Sequence, residues 1–279
     1  MTRKRVKNPN YSAIILAGDR SRGDPVAGLA RVSSKSIVPL AGIPMIVRVI
    51  EAIEASALAG EILICGPAQS ALGDCPALQE MIAAHRVAWH PPGNSPCSSA
   101  AYCIDRIAGT APLFITTADH GLLNPDMISY FLKESTATNA DATVGLVDYQ
   151  TIIDNYPGSR RTRLRFRNGN FCGCNLFTLF NERGRSLVSL WRQVEAHRKH
   201  PFRILRRLLG PTRTLLYLLG KLTLEDALRS LEDKYKINAG AVILPYPAAG
   251  IDVDTIADFR LAEFILSTSV SIEPQPHHD

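Results

Sequence analysis

Short apolar runs alternate with segments of helical periodicity in the first half of the chain, and this alternation limits the fold more than any other feature. Ser12–Ala17 is an apolar run that ends at Gly18, as expected of a buried strand. Met45–Ala57 then repeats apolar residues at helical spacing, and Glu61–Cys65 is predicted to be the next strand. Strands that alternate with helices form right-handed crossovers, which favour a largely parallel sheet with helices on both faces.

The same alternation continues as far as residue 147. It predicts helices at Pro76–Ala84 and Ser98–Ile107, and strands at Pro112–Thr117 and Ala142–Val147. Between these strands, Asn124-Pro125 is a typical helix start, with asparagine as the N-cap and proline at the first helical position. We therefore expect a further helix at residues 126–134.

The second half departs from this pattern. Arg161–Arg167 alternates basic and apolar residues and precedes Asn168-Gly169, a typical hairpin turn. Four helices are predicted next, at Gly184–His197, Pro201–Leu209, Thr212–Leu219 and Leu224–Asp233. Lys236–Leu244 and Ile256–Leu266 are expected to return to the first sheet as a strand and a helix. We predict one three-layer α/β/α domain over 1–279 with a mostly parallel mixed sheet, a hairpin and helical insertion at 150–234, and flexible tails at 1–10 and 268–279.

Composition excludes several classes of protein. No run approaches the ~20 apolar residues of a transmembrane helix, and the run that ends at Gly18 is too short for a signal peptide. Six cysteines in a large chain without an export signal are typical of reduced thiols, so we expect a cytoplasmic protein. Cys172 and Cys174 have no second Cys/His pair at zinc spacing, and we expect them to pack in a strand.

The net charge of +5 conceals an uneven distribution. Between Asn155 and Leu224 there are fifteen arginines and lysines but only two acidic residues. This asymmetry indicates an anionic partner for the segment, with a solvated basic face as the alternative. Aromatic residues are few there and no nucleic-acid-binding motif occurs, so we expect no nucleic acid among the partners.

Three predicted loops follow strands at the edge where parallel sheets bind ligands. Residues Gly18–Gly23 could wrap phosphates with backbone amides, although they match neither the Walker A nor the dinucleotide-binding motif, and an ordinary surface loop is the alternative. Asp119 follows an apolar strand and is well placed for Mg²⁺, unless it merely caps a turn. Asp252 and Asp254 point the same way on an extended segment, and one could complete that site. The alternative for Asp254 is to cap the next helix, a role that Thr255 could also take.

The order of these loops resembles the nucleotidyltransferases with a GT-A-like fold, and most closely their molybdenum-cofactor-guanylyltransferase-like (MobA-like) branch. The motifs that carry the resemblance are Leu16-Ala17-Gly18, Lys35 with the following Pro39-Leu40-Ala41-Gly42-Ile43-Pro44-Met45, Thr117-Ala118-Asp119, and Asp252-Val253-Asp254-Thr255. They cover most of the chain, and the Lys-x-x-x-Pro-Leu-x-Gly-x-Pro-Met block is the most specific. The segment Asn155–Leu224 does not match the guanylyltransferases, which makes molybdenum cofactor a poor candidate for the acceptor.

The resemblance implies a Rossmann-like, GT-A-type fold and a Mg²⁺-dependent enzyme. Such an enzyme would transfer a nucleoside monophosphate from an NTP, with CTP or GTP favoured, to a phosphorylated small molecule and release pyrophosphate. It assigns catalysis to Lys35, Asp119 and Asp252, and the metal to Asp119 with Asp252 or Asp254. The implied nucleotide-binding residues are Leu16, Ala17, Gly18, Asp19, Arg20, Ser21, Arg22, Gly66, Pro92, Gly93, Ser98, Ser99 and Thr117.

Asp19 departs from the family pattern, which usually has a second glycine at this point. A carboxylate beside a triphosphate is repulsive at close range. The alternative to an enzyme is therefore a non-catalytic nucleotide-binding or sensing protein of the same fold.

Arginines of the predicted hairpin indicate an anionic acceptor. Arg163, Arg165 and Arg167 share one face of the predicted strand, and arginine binds phosphate or carboxylate bidentately; a solvated strand face is the alternative. We predict acceptor binding by Arg161, Arg163, Arg165, Asn175 and His120. A polar headgroup precursor and a sugar phosphate both fit such a site.

Residues 196–224 include no acid and seven basic residues among many leucines. This composition is typical of helices that lie on an anionic membrane surface, and peripheral contact at the cytoplasmic face of a membrane is one interpretation. A lid packed over the active site is the other.

Overall fold

The computed structural model describes residues 11–19, 23–56, 59–107, 112–195 and 201–270. Its elements confirm the predicted alternation of strands and helices. The strands are β1 (Tyr11–Leu16), β2 (Pro39–Leu40), β3 (Ile43–Pro44), β4 (Ala59–Cys65), β5 (Ala88–His90), β6 (Leu113–Thr117), β7 (Ala142–Asp148), β8 (Leu164–Phe166), β9 (Gly169–Leu179) and β10 (Ala239–Ile243). The helices are α1 (Pro25–Ala30), α2 (Met45–Ala55), α3 (Pro76–Ala83), α4 (Pro96–Ile104), α5 (Pro125–Ala137), α6 (Tyr149–Asn155), α7 (Glu182–Glu195), α8 (Pro201–Leu218), α9 (Leu224–Tyr235) and α10 (Ile256–Val270).

Eight strands form one mixed sheet in the order β10-β7-β9-β6-β1-β4-β5, with β8 paired to β9. Strand β1 is parallel to both β4 and β6, β5 is parallel to β4, and β10 is parallel to β7. Only β8 and β9 introduce antiparallel pairs into this sheet. The predicted α/β/α fold with a mostly parallel mixed sheet is therefore confirmed.

The central strand β1 is buried on both faces, which explains its continuous apolar sequence. Ile14 and Ile15 are fully buried but contribute to different hydrophobic clusters, because successive side chains of a strand point to opposite faces. The cluster of Ile15 includes residues of α2 and α5, and that of Ile14 includes residues of α4 and α7. Both helix layers therefore pack on the same strand and fix its carboxyl end.

The hairpin and helices of the second half differ from prediction in detail. The strand predicted at 161–167 is shortened to β8, and α6 was not predicted; the Asp148 side chain caps it directly after β7. Gly210 has a positive φ of 78° and a non-helical ψ of 170°, and it divides α8 between the two predicted helices. Asn124 caps α5 as predicted, since its side chain accepts the Met127 N–H at 2.9 Å.

Residues 1–10 and 271–279, which make up most of the two predicted tails, lie outside the described residues. Helix α10 continues to Val270, past the predicted start of the tail at residue 268. No helix of the described part is long and apolar enough to cross a membrane. All six cysteines are free and buried, and Cys172 and Cys174 pack in β9 as expected.

Backbone hydrogen bonds continue past the strand ends and hold the loops of the carboxyl edge side by side. In each of them, a residue just beyond one strand donates to the end of its neighbour, which extends the ladder of the sheet. The pairs are Gly66 N–H to His90 O (2.9 Å), Ala17 N–H to Cys65 O (2.8 Å) and Ala118 N–H to Leu16 O (2.9 Å). A fourth bond joins the segment before α10 to the loop after β6, from Val253 N–H to Asp119 O (3.0 Å).

Gly66 is required by this close approach. Its φ of +98° lies in the region that L side chains rarely adopt, and a Cβ atom there would lie 2.6 Å from the Ala17 carbonyl. We expect Gly66→Ala to lower the free energy of unfolding by about 1–3 kcal/mol, measured by urea denaturation. Gly73→Ala is the matched control, because no atom lies within 4 Å of the added Cβ and its φ is not positive. Equal stability of the two variants would contradict this account of the edge.

Candidate active site

Asp119 lies at the carboxyl end of β6, at the centre of the edge just described. The Thr117 hydroxyl donates to Asp119 Oδ1 at 2.5 Å and fixes the rotamer of the carboxylate. The Asp119 carbonyl accepts the N–H of Val253, which brings the segment before α10 alongside. Asp119 is therefore held by both its side chain and its backbone.

Lys35 lies between two carboxylates. Its ammonium Nζ is 2.7 Å from Asp119 Oδ2 and 2.7 Å from Asp254 Oδ1. Burial alone would lower the pKa of Lys35, but the adjacent Asp119 and Asp254 raise this pKa overall. Lys35 is therefore charged at every physiological pH and occupies a position where a cation is strongly favoured.

Asp252 and Asp254 lie on either side of Val253, which is fully buried in the core. This alternation places both carboxylates near Asp119, as the spacing in the sequence predicts. The cap of α10 is Thr255 and not Asp254. The Thr255 N–H donates to Asp258 Oδ2 at 2.9 Å, and the Asp258 N–H donates to Thr255 Oγ1 at 3.2 Å, which is a reciprocal capping arrangement. Asp254 is thus free of the capping role that the sequence left open.

Arg161 and Asn175 hold the Asp252 carboxylate from the hairpin side. Arg161 Nη1 donates to Asp252 Oδ1 at 2.6 Å, and Asn175 Nδ2 donates to Oδ2 at 3.1 Å. Burial raises the pKa of Asp252, the neighbouring Asp119 and Asp254 raise it further, and Arg161 lowers it. Each carboxylate of the group therefore has a donor from another part of the chain.

The donor set fits a magnesium ion completed by phosphates. Asp119, Asp252 and Asp254 supply three hard carboxylate groups, and Lys35 and Arg161 are cations that bind them. Within residues 11–19, 23–56, 59–107, 112–195 and 201–270, no three Asp, Glu, His or Cys side chains form a ready-made metal cage. Mg²⁺ usually binds through one or two carboxylates plus substrate phosphates, so this arrangement is suitable for it.

The loops expected to bind nucleotide lie next to each other at the same edge. Gly18 and Asp19 are exposed beyond β1, after the buried Leu16 and Ala17, and a Cβ atom on Gly18 would lie 3.2 Å from Pro92 of the loop after β5. In that second loop, the Gly93 N–H donates to Ser99 Oγ at 2.9 Å. The Ser98 hydroxyl forms the capping box of α4 with Ser95. Both serines therefore shape the loop. Arg20, Ser21 and Arg22 lie outside the described residues.

Two predicted acceptor-binding residues have other positions than expected. Arg161 precedes β8, and its side chain is only 6 % exposed, because it is engaged by Asp252 and Asp258. His120 is 1 % exposed, and burial lowers its pKa to about 4, so it is a neutral core residue that does not face an acceptor. Arg163 and Arg165 are exposed on the hairpin, so acceptor binding by them stays a prediction, while Asn175 reaches Asp252.

Asp258 and Thr117 help to position the site, and neither role was predicted from the sequence. The Asp258 carboxylate accepts hydrogen bonds from the Thr255 N–H at the start of α10 and from Arg161 Nη2. Its signal in the sequence was the spacing Thr255-x-x-Asp258, which is typical of a capping box. The hydroxyl of Thr117 carries no such local signal, because its partner is defined only by the turn after β6.

Comparison with solved structures gives the same fold. A hypothetical transferase from Thermus thermophilus is 28 % identical with a TM-score of 0.73, covering 90 % of this chain and 99 % of that one. CMP:2-keto-3-deoxy-manno-octonic acid synthetase complexed with CTP is 12 % identical (TM-score 0.59; 93 % and 99 % covered). 4-Diphosphocytidyl-2C-methyl-D-erythritol synthase from Anaerococcus prevotii is 8 % identical (TM-score 0.54; 94 % and 100 % covered). No curated protein matches the chain significantly.

A family model matches the greater part of the chain. The model describes the MobA-like NTP transferase domain and covers residues 13–235, from β1 to the end of α9. This match includes the loop after β1, Lys35, Asp119 and the hairpin. The family that the motifs resemble is thereby confirmed: the chain belongs to the MobA-like NTP transferase domain family and is a nucleotidyltransferase.

Proposed function

We propose that this enzyme transfers a nucleoside monophosphate from an NTP to a phosphorylated small molecule, with release of pyrophosphate. The observation that carries the proposal is the convergence of Lys35, Asp119, Asp252 and Asp254 beside the exposed loop at Gly18. The cation Lys35 would bind the triphosphate, and the carboxylates would bind the metal ion that accompanies it. The alternative, a non-catalytic nucleotide-binding protein, requires the same loop but no turnover.

The reaction needs positioning and charge neutralisation more than covalent help from the protein. An oxygen of the acceptor phosphate attacks the α-phosphorus and forms a new P–O bond. The bond from that phosphorus to the oxygen that bridges to the β-phosphate breaks, and its electron pair leaves with pyrophosphate. Lys35 and the backbone amides after β1 would hold the triphosphate in line for this displacement.

The metal requirement follows from the same carboxylates. Asp119 with Asp252 or Asp254 would hold Mg²⁺, which neutralises phosphate charge when bound. Thr117 would keep Asp119 oriented, since its hydroxyl already donates to that carboxylate. Lys35 would exchange its contact with a carboxylate for one with a phosphate as the nucleotide enters.

CTP and GTP are the favoured donors. Gly66 and Gly93 lie in the loops after β4 and β5, and Ser98 lies in the first turn of α4; these small residues allow close backbone approach to a base and ribose. A solved structure of the same fold is named as a complex with CTP, which supports CTP first. An activity screen across the four NTPs tests this order directly.

The acceptor is expected to carry negative charge besides its reacting phosphate. Arg163 and Arg165 are exposed on the hairpin, and Arg163 is steadied by Asn170 (2.9 Å) and by the ring of Tyr149 at 5.3 Å. Such guanidinium groups bind a phosphate or carboxylate bidentately. A polar headgroup precursor and a sugar phosphate remain the two acceptor classes to compare.

Replacement of Asp119 tests the catalytic proposal. We expect Asp119→Asn to reduce pyrophosphate release by on the order of 100-fold or more, because neutralisation of phosphate charge by a metal contributes several kcal/mol. Asp105→Asn, at an exposed position after α4, is the matched control and should retain activity. If the wild type is stabilised by an NTP in thermal-shift assays but releases no pyrophosphate with any phosphorylated acceptor, the binding-protein alternative is correct.

We infer further that α8 contacts an anionic membrane surface. Leu215 and Leu218 of α8, and Leu219 directly after its end, are each 57–58 % exposed, so these side chains do not pack on the main sheet as a lid would. In the first half of α8, Arg203 and Arg206 are also exposed. Basic residues near anionic lipid contribute about 1 kcal/mol each, and the leucines would bury apolar area in the interface.

Vesicle sedimentation tests the membrane contact. We expect the protein to sediment with phosphatidylglycerol vesicles at low salt and to be released at high salt, because salt screens exposed charges. The triple variant Leu215→Ser, Leu218→Ser, Leu219→Ser should bind the vesicles about tenfold more weakly or worse, equivalent to at least about 1.4 kcal/mol. Leu29→Ser, at a leucine of α1 that is 50 % exposed, is the matched control. Equal sedimentation of all three proteins, or none, would contradict the inference.

A further inference from the structure

Arg161 joins two acidic residues that belong to different parts of the site. Its guanidinium donates from Nη1 to Asp252 Oδ1 (2.6 Å) and to the Asp252 carbonyl (3.1 Å), and from Nη2 to Asp258 Oδ1. With its side chain only 6 % exposed, it is unavailable to an acceptor. A buried guanidinium is stable only where carboxylates pair with it, so its place in the fold is tied to these two residues.

A second donor fixes the other oxygen of the same carboxylate. The backbone of Asn175 is left-handed, with φ +53°, at an irregularity where the register of β9 against β7 shifts. Such bulges redirect a side chain, and here the amide of Asn175 reaches Asp252 Oδ2 at 3.1 Å. Both oxygens of Asp252 are therefore oriented by donors from the hairpin segment.

This orientation opposes the repulsion within the carboxylate group. Asp252 is half-buried and faces Asp119 and Asp254, and like charges at close range favour rotation of one carboxylate away from the others. Among these three, Asp252 is the one that Lys35 does not bind. Arg161 is thus the cation that pairs with Asp252 and offsets its charge beside the other two.

We propose that Arg161, assisted by Asn175, is a positioning residue that holds Asp252 ready as a metal ligand, and so couples the hairpin to the metal site. This inference rests on the proposed function for the location of the metal, but it concerns a different property. It predicts that loss of Arg161 weakens metal binding, whereas an acceptor-binding arginine would change only the KM for the acceptor. Outer partners of metal ligands typically contribute 10- to 100-fold in metal affinity.

Mn²⁺ binding in the presence of CTP or GTP, followed by electron paramagnetic resonance, tests the inference without turnover. We expect Arg161→Gln to weaken Mn²⁺ binding by about 10- to 100-fold and Arg161→Lys, which keeps the charge but not the fork, to have an intermediate effect. Arg86→Gln is the matched control, because Arg86 also pairs with a carboxylate, Glu54, but precedes β5 at the opposite edge of the sheet. Activity assays should show a matching rise in the Mg²⁺ requirement with an unchanged KM for the acceptor.

A second variant covers the case in which Arg161 variants fail to fold. Asn175→Gly accommodates the left-handed backbone and removes only the amide donor, and we expect a smaller loss of Mn²⁺ affinity in the same direction. Three results would each overturn the inference. They are unchanged Mn²⁺ affinity in folded Arg161 and Asn175 variants, a rise confined to the acceptor KM, and no Mn²⁺ binding by the wild type. Metal binding by the wild type without pyrophosphate release would instead overturn the proposed function alone.

Discussion

The candidate site depends on a hydrogen-bond ladder that does not stop where the strands stop. Parallel strands align their carboxyl ends, and the bonds from Gly66, Ala17 and Ala118 carry that alignment one residue further into the loops. Loops are usually more mobile than the elements that they connect, but hydrogen bonds that extend the sheet hold these loops in place. Because both faces of β1 are buried, helices packed on two sides fix the strand end from which the first of these loops extends.

Electrostatics then decides how the loops pack against one another. Asp119, Asp252 and Asp254 would repel if they were brought together alone, and two cations from distant parts of the chain offset this repulsion. Lys35 binds Asp119 and Asp254, whereas Arg161 binds Asp252 and also Asp258 in the first turn of α10. Lys35 comes from a single 3₁₀ turn near the surface, so it can change partners, while the buried Arg161 cannot do so without exposing unpaired charges. Lys35 is therefore suited to binding an incoming substrate, whereas Arg161 is suited to holding the Asp252 carboxylate in a fixed position.

The parts of this molecule that could be predicted from sequence are those with local signals. A continuous apolar run identifies β1, Asn124-Pro125 identifies the start of α5, and a carboxylate directly after a strand identifies Asp119. The role of Arg161 could not be predicted, because its partners are 91 and 97 residues away and an alternating Arg/Leu pattern is equally typical of an exposed strand. His120 follows Asp119 by one residue, yet the tight turn places it in the core. Burial of a polar side chain is a tertiary property that neighbours in sequence do not encode.

Asp19 shows how a departure from a family pattern can be compatible with the family's chemistry. A carboxylate in a phosphate-binding loop would repel a triphosphate if it pointed into the loop. In this structure Asp19 Oδ1 accepts the backbone N–H of Lys35 at 3.0 Å, so the carboxylate is bound to the protein. That bond also links the loop after β1 to the residue that binds Asp119 and Asp254. A second glycine at this position would offer no such acceptor, and the turn at Lys35 would need another means of support. The carboxylate of Asp19 therefore helps to fix the backbone turn that carries Lys35.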